Sequence, residues 1–132
     1  MEKITVQQAA DTFYNGNISA LARDNELAVQ MVTRWKYKGQ KFIKLCNGRY
    51  LVESQRTQVI TTPFPLEEKI EILHFSKIVE LVSQKHPELA CTEWNPNSKK
   101  VLARWVKSER ICYRVSPTQW ILESDKFILL RF

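Results

Sequence analysis

Leu21-Ala22-Arg23-Asp24-Asn25-Glu26-Leu27-Ala28-Val29-Gln30-Met31-Val32-Thr33-Arg34-Trp35 carries two apolar stripes at helical spacing, separated by the polar break Asp24-Asn25-Glu26. Ile18, Leu21 and Ala22 predict a short helix behind Asn17, a residue suited to accepting the first free N–H groups. Met31, Val32 and Trp35 predict a following helix over 28–37, stopped by Gly39, with Lys36 and Lys38 near its negative dipole end. Upstream, Thr5-Val6-Gln7-Gln8 has the form of a capping box. Val6, Ala9, Ala10 and Phe13 then supply one apolar face for a first helix that ends near Gly16. Downstream, Phe42-Ile43-Lys44-Leu45-Cys46 and Arg49-Tyr50-Leu51-Val52-Glu53 flank Asn47-Gly48, the pairing that most strongly signals a two-residue hairpin turn.

Charge is distributed unevenly around this stretch. The 132 residues hold 20 Lys+Arg and 14 Asp+Glu, a net +6, and with 44% hydrophobic and 26% charged residues the composition is that of a folded chain. Residues 1–60 hold nine basic and five acidic side chains, and residues 61–132 eleven and nine. Residues 27–52 contain no acid at all, yet carry Arg34, Lys36, Lys38, Lys41, Lys44 and Arg49. Apolar runs are only a few residues long, against the ~20 that a bilayer span requires. Met1-Glu2-Lys3-Ile4-Thr5 also lacks the apolar core of a signal peptide, so no membrane role and a cytoplasmic location are expected. Cys46, Cys91 and Cys112 are odd in number and far apart, which predicts reduced, small buried thiols.

Residues 21–35 resemble a helix-turn-helix: Ala22 is the small residue between helices, Leu27 the apolar residue after the turn, Val32 the aliphatic one, and Trp35 the large apolar residue one turn on. The wider stretch 4–53 resembles the phage Cro repressors of the lambda type, in which three helices lead through a Gly-Lys-rich bend into a β-hairpin. One position departs from the pattern. The turn usually carries glycine, and here it carries Glu26, preceded by Asn25, which tolerates the left-handed region; two registers one residue apart therefore stay open. The resemblance implies a sequence-specific regulator of transcription, a repressor of phage or mobile-element origin, with double-stranded DNA as partner. In that reading Ala28, Val29, Gln30, Thr33 and Arg34 face base edges, Gln suiting adenine, Arg guanine, and Val or the Thr methyl the thymine methyl. Lys36, Lys38, Lys41 and Lys44 neutralise phosphates, and Asn17 and Ser19 donate to one. The same residues fit an excisionase-like winged helix with Asn47-Gly48 at the wing tip, or a small non-enzymatic inhibitor or adaptor whose basic face docks on a host protein.

All three glycines lie in the first 48 residues and all five prolines beyond residue 60, with Thr61-Thr62-Pro63-Phe64-Pro65 as a stiff connector. A domain over 1–60 and a second over 61–132 are expected. In the second, a long helix is predicted to run from Pro65 to about Lys85. Leu66, Ile70, Ile72, Leu73, Phe75, Ile78, Val79, Leu81 and Val82 would wrap two of its sides, one to be covered by the domain's own sheet and the other by a homodimer partner. Strand-like runs at 101–106, 110–115, 119–123 and 126–132 predict a meander. The expected fold is α+β: a three-helix helix-turn-helix domain with a β-hairpin, then a long helix packed on a small antiparallel sheet. Trp105, Tyr113 and Trp120 are expected to face that helix and Arg104, Arg110 and Arg114 to face water, rather than to form a stacking platform for single-stranded nucleic acid.

No phosphate-binding glycine loop, zinc-ligand spacing, Ser-His-Asp arrangement or paired-carboxylate motif is present. His74 and His86 read as core or surface side chains, and Glu109, Glu123 and Asp125 match no Mg²⁺-binding pattern. No catalytic residue, metal or cofactor is expected, and the chain reads as a non-enzyme.

Overall fold

In the computed structural model, which describes residues 1–66 and 69–132, the chain forms two units: Met1–Gln55 with Lys126–Phe132, and Arg56–Asp125. The elements run β1 (Lys3–Thr5), α1 (Val6–Phe13), α2 (Ile18–Asp24), α3 (Val29–Lys38), β2 (Lys41–Lys44), β3 (Tyr50–Val52), β4 (Gln58–Thr61), β5 (Ile72–His74), α4 (Phe75–Lys85), α5 (Cys91–Trp94), α6 (Lys99–Lys107), β6 (Ile111–Ser116), β7 (Gln119–Leu122) and β8 (Leu129–Leu130). The architecture is mixed α+β with two antiparallel sheets, ordered β1-β2-β3-β8 and β4-β7-β6-β5.

The helices of the first unit begin and end where their local chemistry demands. The Thr5 hydroxyl accepts from Gln8 N–H at 3.0 Å while Thr5 N–H donates to Gln8 Oε1 at 2.8 Å, closing the capping box of α1. Asn17 Oδ1 accepts from Ala20 N–H at 3.0 Å and starts α2. Gly39 ends α3 in the left-handed region, φ +71°. Between α2 and α3, Asn25 keeps φ −100° and Glu26 itself adopts φ +56°. The turn thus sits at Glu26, and the register shifted to Asn25 is not used. Leu27 N–H donates to Ala22 O at 2.8 Å, which closes the turn, and Asn25 Nδ2 donates to Leu21 O at 3.0 Å.

Val6, Ala9, Ala10, Leu21, Ala22, Val32, Phe42, Tyr50 and Val52 form the first core, and Leu130 joins them with no exposed surface. That last contact corrects the division expected at residue 60/61. Residues 126–132 are not the final strand of a second-half meander: Tyr50 and Leu51 pair with Leu130 and Leu129, and Val52 N–H donates to Ile128 O at 3.1 Å. β4, in turn, opens the second unit. The Phe132 ring lies 5.1 Å from Phe13 and from Tyr50 and 5.9 Å from Tyr14 and from Phe42. A bare hairpin has too little apolar surface to stand alone; β1 extends it at one edge, and β8 extends it at the other and brings in a buried Leu.

In the second unit Ile60, Leu66, Phe75, Ile78, Val82, Leu102, Trp105, Cys112, Trp120 and Leu122 form the core. Two expectations fail here. The helix expected from Pro65 starts at Phe75, because residues 72–74 pair with Tyr113, Cys112 and Ile111 as β5 and bury only Leu73 in between. Glu67 and Glu68, part of that expected start, lie outside the described residues. The apolar pattern that wrapped two sides of one long helix therefore belongs to two elements, with Ile70 and Ile72 outside α4. Second, residues 101–106 are helical. Ser98 Oγ accepts from Val101 N–H at 3.2 Å, and Leu102 and Trp105 are buried three apart, a helical period rather than the strand's two. Trp105 and Trp120 do point into the core, but Arg114 is buried too: its Nη2 donates to Leu66 O at 2.6 Å and Pro117 O at 3.0 Å, with the guanidinium 5.1 Å from the Trp120 ring. Arg110 likewise donates to Glu123 O. These arginines hold the sheet instead of facing water.

Of the thiols expected to be buried, Cys112 is buried, Cys91 is half-buried and Cys46 is exposed beside the hairpin turn. Burial pushes the Cys112 thiol up to about 12. No helix among the described residues is long and apolar enough to cross a membrane.

Stability and thiol chemistry report on these features in solution. Leu130→Ala costs about 2–5 kcal/mol in denaturant unfolding, and a fragment ending at residue 60 fails to give the cooperative transition of the intact chain. Glu26→Gly relieves the left-handed strain and raises stability by about 0.5–1 kcal/mol; a loss would show that the strain lies elsewhere. At neutral pH an alkylating reagent modifies Cys46 first and Cys112 only after unfolding, as read by peptide mass.

Candidate nucleic-acid interface

The outward face of α3 is set by what its inward face packs. Val32 is fully buried and the Trp35 ring meets Phe42 edge-on at 6.1 Å, with Met31 half-buried. At 100° per residue these anchors turn Val29, Gln30, Thr33 and Arg34 toward the opposite side. Ala28, at the N-cap position, is exposed, as are Val29, Gln30 and Arg34; Thr33 is half-buried. Ala28 offers no side-chain cap, so the first N–H groups of α3 are donors that its own N-cap side chain leaves untaken.

Tyr37 was not singled out by sequence reasoning and belongs to the same face. It follows Thr33 by four residues and Arg34 by three, and it is 81% exposed, the most exposed of the large hydrophobic side chains described. The signal was present in the spacing, since two residues after the inward Trp35 a helical side chain lies about 200° round and faces outward. Lys36 Nζ sits 5.9 Å over its ring.

The basic residues do not all converge. Lys36 and Lys38 occupy the last turn of α3, and Lys41 stands two residues after Gly39 at the start of β2, all exposed. Arg34, Lys36, Lys38 and Lys41 form no ion pair among the described residues. Lys44 stands apart. Three residues along a strand put it on the other pleat from Lys41, and its ammonium lies 3.9 Å from Glu2. At the start of α2, Asn17 is exposed with its oxygen committed to Ala20 N–H, and Ser19 is half-buried.

The α2–α3 turn is tied to the end of the chain. Asn25 Oδ1 accepts from Arg131 N–H at 2.7 Å. Tyr14 donates to Asp24 Oδ2 at 2.6 Å, and its oxygen is 3.2 Å from Arg131 O. Desolvation, then the Asp24 carboxylate, push the Tyr14 hydroxyl up to about 12. The turn that orients α3 therefore rests on the returning strand as well as on its own backbone.

Elsewhere the histidines take ordinary positions. His74 stands at the N-cap position of α4 without capping it, its ring 3.0 Å from Glu109 O, and the His86 ring is 2.8 Å from Glu88. Among the described residues no group of three His, Cys, Asp or Glu side chains is placed to hold a metal ion. No family model, curated protein or solved structure matches this chain.

Proposed function

We propose that α2 and α3 form a helix-turn-helix and that the chain is a sequence-specific, double-stranded DNA-binding regulator of transcription, reading the major groove with α3. The observation that carries this reading is the backbone of Glu26. A left-handed conformation costs a residue with a side chain roughly 1–2 kcal/mol, and it stands at the turn position where the helix-turn-helix pattern has glycine. The strain is borne where it orients α3, whose exposed side then carries side chains suited to base edges.

In this reading Gln30 and Arg34 face the bases, with Val29 and the Thr33 methyl available to a thymine methyl. Ala28, at the entry to the helix, lets the backbone approach closely. Tyr37 extends the contact toward sugar and phosphate, and Lys36, Lys38 and Lys41 neutralise the flanking backbone. Asn17 and Ser19 contribute a phosphate contact from the start of α2. Lys44, held toward Glu2, contributes least of the residues first assigned to the backbone.

Titration of duplex DNA at several salt concentrations tests the reading. A steep log–log salt slope and a preferred site that outlasts competitor DNA support it. Flat or absent binding, with tight capture of an acidic host protein instead, refutes it. Gln30→Ala and Arg34→Ala each cost ~1–3 kcal/mol at one preferred base pair and relax the preference there. Lys38→Ala and Lys41→Ala weaken all duplexes alike and lower the slope by about one each. Equal behaviour of the two pairs would show that α3 does not divide into reading and positioning residues.

A further inference from the structure

The second unit carries a helix whose solvent side is cationic along its whole length. Residues 94–108 contain no acid and four basic residues, Lys99, Lys100, Arg104 and Lys107, all of them on α6 and all exposed. None forms an ion pair among the described residues. On a helical projection Lys100, Arg104 and Lys107 fall on one line, and with Lys99 the four span an arc of about 140° at 100° per residue. Ala103 lies near the middle of that arc and is exposed.

The inward side of α6 is firmly seated. Leu102 and Trp105 are each 5% exposed, and the Trp105 ring meets Phe75 edge-on at 5.3 Å. A helix held this way cannot turn its apolar stripe outward. That rules out the partner an interfacial membrane helix takes, since such a helix needs bulky apolar side chains free to enter the lipid. A hydrophobic groove on another protein is also a poor fit, because such grooves take apolar anchors at helical spacing and Val106 is the one large apolar side chain α6 exposes. What remains is a rod about 13 Å long and roughly 10–12 Å across, with Lys99 on one flank of Ala103 and Lys107, Lys100 and Arg104 on the other. A duplex groove is ~12 Å wide with a row of phosphates on each rim. Ala103 lets the helix approach closely, and the flanking cations reach the two rims.

We propose that α6 is a second duplex-DNA-binding helix, so that one chain holds DNA through α6 of the second unit in addition to the contact proposed for α3. The α6 contact is mainly with phosphates, with Val106 available to a thymine methyl, and it stands on its own residues whatever α3 binds. A second attachment within one chain raises effective concentration and retains the protein on DNA while α3 binds as before.

The test uses the full chain and a duplex probe followed by fluorescence anisotropy across a salt series. Lys100→Ala/Arg104→Ala/Lys107→Ala makes the log–log slope shallower by about 2.7, at ~0.9 for each phosphate no longer neutralised, and weakens binding about tenfold or more near 0.1 M salt, with thermal unfolding unchanged. Should the triple variant unfold, Lys100→Gln/Lys107→Gln takes its place with an expected slope change of about 1.8. Lys100→Arg/Lys107→Arg keeps the wild-type slope. A folded α6 variant with wild-type slope and affinity overturns the proposal, and if Gln30→Ala/Arg34→Ala abolishes binding at the same time, the α3 reading survives alone. Weakened binding by the α6 variant with no effect of the α3 changes sustains α6 and removes α3. Equal competition by a single-stranded oligonucleotide, matched by phosphate, overturns the assignment to duplex.

Discussion

Leu130 enters the first core from a strand more than seventy residues beyond β3 in sequence, and the first unit depends on that return. A fully buried Leu contributes roughly 1.5–3 kcal/mol, and each favourable aromatic pair made by Phe132 about 0.5–1.5 more. Those terms are large against the marginal stability of a module of some sixty residues. The same segment reaches the α2–α3 turn, where Arg131 N–H is accepted by Asn25 and the Tyr14 hydroxyl bridges toward Asp24. One returning segment thus closes the core and contacts the α2–α3 turn. The entropic cost of closing so long a loop grows only logarithmically with its length, so an intervening unit of seventy residues is a tolerable insertion.

Basic residues in this chain sort into two kinds by what satisfies them. Arg110 and Arg114 spend their donors on carbonyl oxygens of Glu123, Leu66, Ser116 and Pro117, and Arg114 lies on the Trp120 ring. A buried guanidinium is retained only when its donors are used in this way. The cations of α3 and α6 have no such partners among the described residues, and each helix packs an aromatic inward, half-buried Trp35 in α3 and buried Trp105 in α6. Each helix is thus fixed by packing on one side and left with unneutralised charge on the other. Concentrated charge of one sign lowers the stability of the fold by self-repulsion, and an anionic partner removes that repulsion.

The first unit was legible because its signals are local. The capping box at Thr5 and Gln8, the Asn17 cap and the Gly39 stop each act within about four residues and stand where the spacing placed them, and the hairpin forms around Asn47-Gly48 with Lys44 opposite Tyr50, a register centred on Asn47 rather than on a two-residue turn. The exposed face of α3 followed from the same period. Legibility failed where pairing partners lie far apart. Ile72-Leu73-His74 has the apolar content of a helix start and becomes a strand because β6 offers it a free edge. Residues 101–106, rich in Val, Leu and Trp, read as a strand, but Ser98 caps them into a helix and the core takes Leu102 and Trp105 three apart. That misreading hid the cations of α6, since in a strand they would have alternated between two faces.

The sequence by itself determined the three helices and hairpin of the first unit, the position of the turn to within one residue, and the acid-free run that follows it, because these depend on neighbours along the chain. Only the tertiary structure decided that Glu26 takes the left-handed conformation, that residues 126–132 belong to the first unit, and that Lys99, Lys100, Arg104 and Lys107 share one helix face. The choice of Glu26 over Asn25 is made in a turn closed locally by Leu27 N–H on Ala22 O, while the other two outcomes depend on a partner brought close by folding, Leu130 against Tyr50 and Trp105 against Phe75. A contact made across such separations leaves no period or spacing in the chain to be read.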